Sequence, residues 1–437
     1  MADVVLHEYP ALRERFFEIR REGLPVIYLI PKKRSTFYAV LRVGVGSYDR
    51  YYLERGRRYS VLPGCAHFLE HKLFANPDGS DEMERFGDLG ADANAYTTGT
   101  STCFLFNCRD NFPAALKELL TFVSKPYFTR ENVEREKKII LQEAAMYADS
   151  PSYRLSTGTI RQLYANHPIR DEIVGTAASI KRITPAHLTR VYRAFYHVFN
   201  MQLFVCGDLF PDDLLSILSD VSLPTNGDAS RVLPPADEPR CAPPTVRTYR
   251  RRVSKPLFAV SSGFPEPVGD ISEQHRKLLA AGVVLTHLFG EAGSLFAELK
   301  EAGLLTDPLN RRIERNRGIC YFSVTGKSDR PKKVYQMIRD RVREFVETGI
   351  PEEDVSRICR AQYAAYLSSF DDPEETAEAF SETIPEGIDP FAETLLVKNL
   401  NADFVNAVTR ELFSPDRLNL TVVRGGKQDA LESEEEE

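Results

Sequence analysis

The sequence predicts an α+β fold made of two similar domains related by internal duplication. Three observations carry this: a length of 437 residues, alternating strand-like and helix-like stretches, and a weak internal repeat. A chain of this length exceeds one ordinary hydrophobic core, so two domains are the default. The repeat sets 133–151 (VEREKKIILQEAAMYADSP) against 355–373 (VSRICRAQYAAYLSSFDDP), matching Val133 with Val355, Arg135 with Arg357, Asp149 with Asp371 and Pro151 with Pro373. A second echo sets AFYHVFNMQLFVCGD against ELFSPDRLNLTVVRGG, in the same order and at a similar offset. Together they suggest a duplicated unit of about 210 residues.

The elements follow in order. Residues 26–29 and 36–45 are apolar, β-branched or aromatic and read as strands. A helix is expected from about Leu62, with Pro63 in its first turn, stopping at Asn76-Pro77-Asp78-Gly79. Residues 92–106, rich in Thr, Tyr and Phe, read as one or two strands, and 112–123 and 131–149 as amphipathic helices. The stretch 223–244 is dense in Pro, Asp, Ser and Gly. The expected division is therefore a first domain over 1–225, a linker over 226–244, a second domain over 245–428, and a disordered acidic tail over 429–437.

Composition narrows the function. The net charge of -7 argues against a nucleic-acid or anionic-membrane surface. No run of about 18 apolar residues appears, so no membrane span is expected. The start, MADVVLHEYPALRERFFEIRREG, lacks the apolar core of a signal peptide. Seven cysteines without a C-x-x-C pair suit buried free thiols in a reducing cytoplasm. Gly326-Lys327-Ser328 is not a phosphate loop, because Tyr321 stands where the first glycine is required.

The chemistry gathers around G-C-A-H-F-L-E-H-K-L-F. His67 and His71 are i and i+4, one turn apart on one helical face, and can share a zinc ion. Glu70 adjoins that face as a general base, giving the inverted order H-x-x-E-H. A catalytic zinc takes a third protein ligand and keeps a position open. Glu136 and Glu143 lie seven apart on one face of the 131–149 helix, with Ile139 and Ile140 between them. Glu143 is read as the third ligand and Glu136 as a hydrogen-bond partner of a ligand histidine. At the matching positions of the second half stand Ile358 and Ala365, so that half lacks the metal positions. His7, His167, His187, His197, His275 and His287 lack metal spacing and are read as structural.

These residues resemble the pitrilysin and mitochondrial-processing-peptidase family of zinc metallopeptidases, the inverzincins, in its half-length bacterial form. Gly46-Ser47, the 64–74 core, E-x6-E at Glu136 and Glu143, His167-Pro168 with Gly175, the segment from Phe195-Tyr196 to Asn200-Met201, and Gly207-Asp208 carry the likeness. The resemblance implies two similar domains, each a mostly antiparallel sheet packed with helices, forming half of a clamshell around a peptide chamber. It implies a zinc endopeptidase subunit with one Zn2+ per chain, cleaving peptides or unfolded and precursor polypeptides. It also implies that Asn94, Ala95, Tyr96 and Thr97 form an edge strand that pairs with substrate. One departure stands out in SLFAELKEAGLLTDPL: Lys300 replaces an expected Arg, and no Tyr follows Gly303-Leu304. Lysine does not reproduce a bidentate guanidinium. The resemblance therefore implies a related partner subunit supplying the Arg and Tyr, with a homodimer as the alternative. A non-catalytic scaffold subunit and a different metal hydrolase on the same frame are the competing readings.

Overall fold

A computed structural model describes residues 2–225, 231–234, 244–426 and 435–436. They divide into two compact units that are not two halves of the chain. Unit 1 gathers 1–144, 171–234 and 366–391, and unit 2 gathers 145–170, 235–365 and 392–437. This corrects the expected single cut at 226–244. Amphipathic periodicity marks a helix that must be covered, but it does not say which sheet covers it. Arg231–Val232, inside the expected linker, forms a strand, while 226–230 and 235–243 lie outside the described residues. Most of the acidic tail also lies outside them.

Unit 1 contains β1 (Asp3–Tyr9), β2 (Glu14–Arg20), β3 (Val26–Pro31), β4 (Phe37–Val43), β5 (Tyr51–Glu54), β6 (Arg57–Ser60), β7 (Ala91–Thr97), β8 (Thr102–Cys108), β9 (Met201–Gly207) and β10 (Arg231–Val232). Seven of these form a sheet in the order β1-β2-β3-β9-β4-β8-β7, antiparallel except for the β3–β9 pair. β5, β6 and β10 form a small separate sheet that the sequence reading missed. Its hairpin turns through Arg55 and Gly56, both at positive φ. The inner strand β4 (FYAVLRV) is almost wholly buried, as a strand covered on both faces must be.

Helices α1 (Cys65–Leu73), α2 (Glu82–Asp88), α3 (Phe112–Val123) and α4 (Arg130–Asp149) follow. α3 buries Phe112, Ala115, Leu116, Leu119, Leu120 and Val123 in one core with Phe68, Leu69, Phe104 and Phe106. Each large apolar side chain buried there contributes about 2 kcal/mol. The opposite face of β4 and β9 is covered by the helix Pro373–Thr383, which comes from late in the chain.

Unit 2 contains β11 (Val246–Arg250), β12 (Leu257–Gly263), β13 (Asn310–Asn316), β14 (Ile319–Lys327), β15 (Asn419–Arg424) and β16 (Glu435–Glu436), in the order β13-β14-β12-β15-β11-β16. β15 runs parallel to β11 and antiparallel to β12. β9 makes the same relations with β3 and β4, so the two sheets share one topology. α5 (Pro151–Leu163), from early in the chain, packs on this second sheet. Gln162 fixes it there, donating from Nε2 to the Thr245 carbonyl at 2.6 Å and accepting from Thr421 Oγ1 at 2.7 Å. The helix Ile271–Phe289 begins the one described stretch, Ile271–Glu301, apolar and long enough to cross a membrane. Ala280, Ala281, Val283 and Val284 in it are fully buried, as in a core helix. Cys65, Cys103, Cys108, Cys206, Cys320 and Cys359 are free and buried.

Candidate metal centre

α1 begins one turn later than its sequence suggests. Pro63 stays outside, and Gly64 caps the helix at φ 82°, a left-handed conformation that favours glycine. A Cβ on Gly64 would also meet the Val174 carbonyl oxygen at 2.5 Å, and one on Gly175 (φ 82°) would meet the Pro63 oxygen at 2.7 Å. This glycine pair lets the 174–175 segment lie against the start of α1. The helix ends before a turn at 76–79 that the Ala75–Asp81 bridge closes.

Every residue of α1 except His71 is buried, including His67, Glu70 and Lys72. Polar groups taken out of water need partners, and strands and helices of unit 1 supply them. α4 presents Glu136 and Glu143 on its α1-facing side. His71 Nδ1 lies 3.1 Å from Glu136 Oε1, and Lys72 Nζ lies 3.5 Å from Glu136 Oε2. His67 Nε2 is 3.6 Å from Glu143 Oε1, and His71 Nε2 is 3.5 Å from Glu143 Oε2. From β7, Thr97 Oγ1 donates to Glu70 Oε2 at 2.5 Å.

Burial, followed by the nearness of His71, pushes the His67 pKa down to about 3, so this imidazole stays neutral and free to ligate. Burial alone would lower His71 as well, but the Glu136 hydrogen bond and charge outweigh it and raise the pKa. Burial raises Glu70, against the lowering effect of the Thr97 hydrogen bond. A carboxylate so raised is a better proton acceptor near neutral pH. Glu136 is lowered: burial opposes this, but His71 and Lys72 together win.

His67, His71 and Glu143 each place a donor atom within 4.8 Å of the others. Two imidazole nitrogens and one carboxylate oxygen are a zinc donor set. Buried Glu143 Oε2 has no hydrogen-bond partner, which suits an atom meant for a cation. The donor chemistry and the orphaned oxygen both fit a zinc ion.

The structure thus brings together His67, Glu70, His71, Glu136 and Glu143. Asn94, Ala95, Tyr96 and Thr97 lie on β7, the last strand of the sheet, which pairs only with β8 among the described strands. Sequence reasoning missed Lys72 and the Thr97 hydroxyl. Lys72 carried a signal in its place within an apolar motif, whereas Thr97 carried none. A cavity of about 750 Å³ lies in unit 2, among Ser156, Thr159, Leu257, Tyr321 and Thr325. No group of three metal-ligating side chains lies there among the described residues; the one such group is His67, His71 and Glu143 in unit 1.

Comparisons with known proteins agree with this geometry. Residues 55–177 match the profile described as Insulinase (Peptidase family M16), and 182–362 match that of the Peptidase M16 inactive domain. The chain is 30% identical over 431 residues to the uncharacterized zinc protease YmfH of Bacillus subtilis, covering 95% of this chain and 98% of that one. It resembles a crystal structure from Alicyclobacillus acidocaldarius described as an M16-like peptidase, with a TM-score of 0.88, 26% identity, and coverage of 96% and 100%. A protease from Helicobacter pylori shares the fold at a TM-score of 0.80 and 15% identity, with coverage of 97% and 99%.

Proposed function

Because the chain belongs to the insulinase family of peptidases, family M16, we propose that it is a zinc endopeptidase subunit acting on peptides and unfolded or precursor polypeptides. The observation that carries this is the convergence of His67 and His71, on the helix that also bears Glu70, with Glu143 of α4, their donor atoms within 4.8 Å of one another. His67, His71 and Glu143 would hold one zinc. Bound there, zinc supplies Lewis acidity, lowering the pKa of water and polarising a carbonyl. Glu70 takes the proton of the attacking water and passes it to the leaving amine. Thr97 holds the Glu70 carboxylate in place for that transfer. Glu136 accepts from His71 Nδ1, which leaves Nε2 for the metal. An extended substrate adds to the open side of β7 along 94–97 through main-chain hydrogen bonds, so selection depends on shape more than on sequence.

The same reading extends to the partner. Lys300 and Thr306 are both exposed in unit 2, where the resemblance expects Arg and Tyr. The chain works as the zinc-bearing half of a heterodimer whose other chain brings those two residues. The free, buried cysteines among the described residues favour the cytoplasm.

The test is hydrolysis of a mixed unfolded-peptide library by the zinc-loaded chain, alone and with a co-purifying relative titrated in. Turnover that rises and saturates at one-to-one is expected. Full turnover from the isolated chain would refute the heterodimer, and no turnover with either would refute the peptidase.

A further inference from the structure

One polar cluster in unit 1 is not used by the chemistry above. Glu378, on the helix Pro373–Thr383, is partly buried, and both its carboxylate oxygens are taken by tyrosines. Tyr96 Oη donates to Oε2 at 2.6 Å, and Tyr38 Oη donates to Oε1 at 2.9 Å. Ser381 Oγ adds a longer contact to Oε2 at 3.4 Å. Tyr38 is 2% exposed and lies on β4, two strands from β7. The flanking helix residues Ala377 and Phe380 are fully buried, so the carboxylate stands on an anchored backbone. Hydrogen bonds to an ionised acceptor are the stronger kind.

The position of Tyr96 gives this cluster its meaning. Successive side chains of a strand point to opposite faces. Thr97 points to the α1 face, where it meets Glu70, and Tyr96 points to the other, where it meets Glu378. The last strand of the sheet is therefore held from both sides at adjacent residues. An edge strand otherwise has a ladder on one side only and is the part of a sheet most free to slip or fray.

We propose that Glu378 is a positioning residue: through Tyr96 it fixes the place of β7, and so the backbone that receives substrate beside Glu70. The Tyr96 hydroxyl is committed to Glu378 and is not a substrate contact. The inference rests on β7 being the substrate-pairing strand. A helix residue 282 positions after Tyr96 in the chain thereby sets the affinity for peptide without touching it.

The zinc-loaded full chain with its partner is compared as wild type, Tyr96→Phe, Glu378→Gln and Glu378→Ala. Tyr96→Phe removes one hydrogen bond and no bulk, which guards against a simple failure to fold. KM for an unfolded peptide should rise about fivefold in Tyr96→Phe, the worth of one such bond, with kcat and zinc content unchanged. Glu378→Ala should raise KM further, Glu378→Gln should recover part of it, and adding Tyr96→Phe to Glu378→Ala should cost nothing more. The protected amides of β7 should exchange faster in each variant, with those of β3 and β9 unchanged. Unchanged KM and unchanged β7 exchange would overturn the proposal, and so would a fall in kcat at constant KM. If the wild type cleaves no peptide, the peptidase reading fails instead. The exchange of β7 then decides the positioning role alone: faster exchange upholds it, and unchanged exchange removes it.

Discussion

Units 1 and 2 repeat one strand order, β3-β9-β4-β8-β7 against β11-β15-β12-β14-β13, yet differ where the chemistry lies. In unit 1, α4 offers Glu136 and Glu143 to a helix carrying two histidines and a glutamate. At the matching positions in unit 2 stand Ile358, which is buried, and Ala365. The apolar partners that build the frame are kept, as Val133 and Val355 are both fully buried. A duplicated frame can hold its core constant while a few polar side chains on one copy create a site. Each unit also covers its sheet with one helix from the other half of the chain. Gln162 pins α5 in unit 2, and Glu378 pins Pro373–Thr383 in unit 1.

Removing a metal ligand from unit 1 should have the largest effect. His67→Ala should abolish stoichiometric zinc, read by elemental analysis. A variant that keeps full zinc would mean that the metal is held elsewhere.

A smaller effect sharpens the second layer of contacts. Glu136→Gln should weaken zinc about 10- to 100-fold near neutral pH, measured by competition with a chromophoric chelator. The pH dependence should move as well. Zinc needs a neutral imidazole, and Glu136 raises the His71 pKa, so wild-type affinity falls as pH drops through the region around that raised value. Without the carboxylate His71 loses its proton more readily, and the fall should begin at lower pH. An unshifted profile would show that Glu136 does not act through His71.

The smallest effect tests the shared frame. Val133→Ala and Val355→Ala each remove two buried carbons and should each cost about 2 kcal/mol in denaturant unfolding. Both should leave zinc content unchanged. A large difference between them would mean that the two helices do not play matching structural parts.

Much of this was readable in the sequence because it depends on spacing within one helix. His67, Glu70 and His71 share a turn, and Glu136 and Glu143 sit two turns apart, so helical periodicity alone set their faces. The repeat at 133–151 and 355–373 suggested a duplicated unit, and each copy is a helix followed by a second one that starts at its proline. Three things were hidden. The start of α1 turned on a left-handed Gly64, which looks in sequence like an ordinary glycine beside a helix-favouring proline. The exchange of covering helices depends on which sheet offers the better groove, and periodicity carries no such information. The contacts of Thr97 with Glu70 and of Tyr96 with Glu378 join residues brought together only by the folded sheet.

In the proposed function Glu70 moves the proton at the unit 1 metal site and does not bind the metal. Glu70→Gln keeps the shape of the side chain and removes its basicity. Zinc content and peptide hydrolysis should be measured on the same preparation of this variant, with the partner present. One zinc per chain is expected, as in the wild type, with hydrolysis reduced by about 100- to 10,000-fold, the range for losing a positioned acid–base group. Loss of zinc from that variant would make Glu70 a metal ligand, and hydrolysis that survives in it would mean that another group moves the proton.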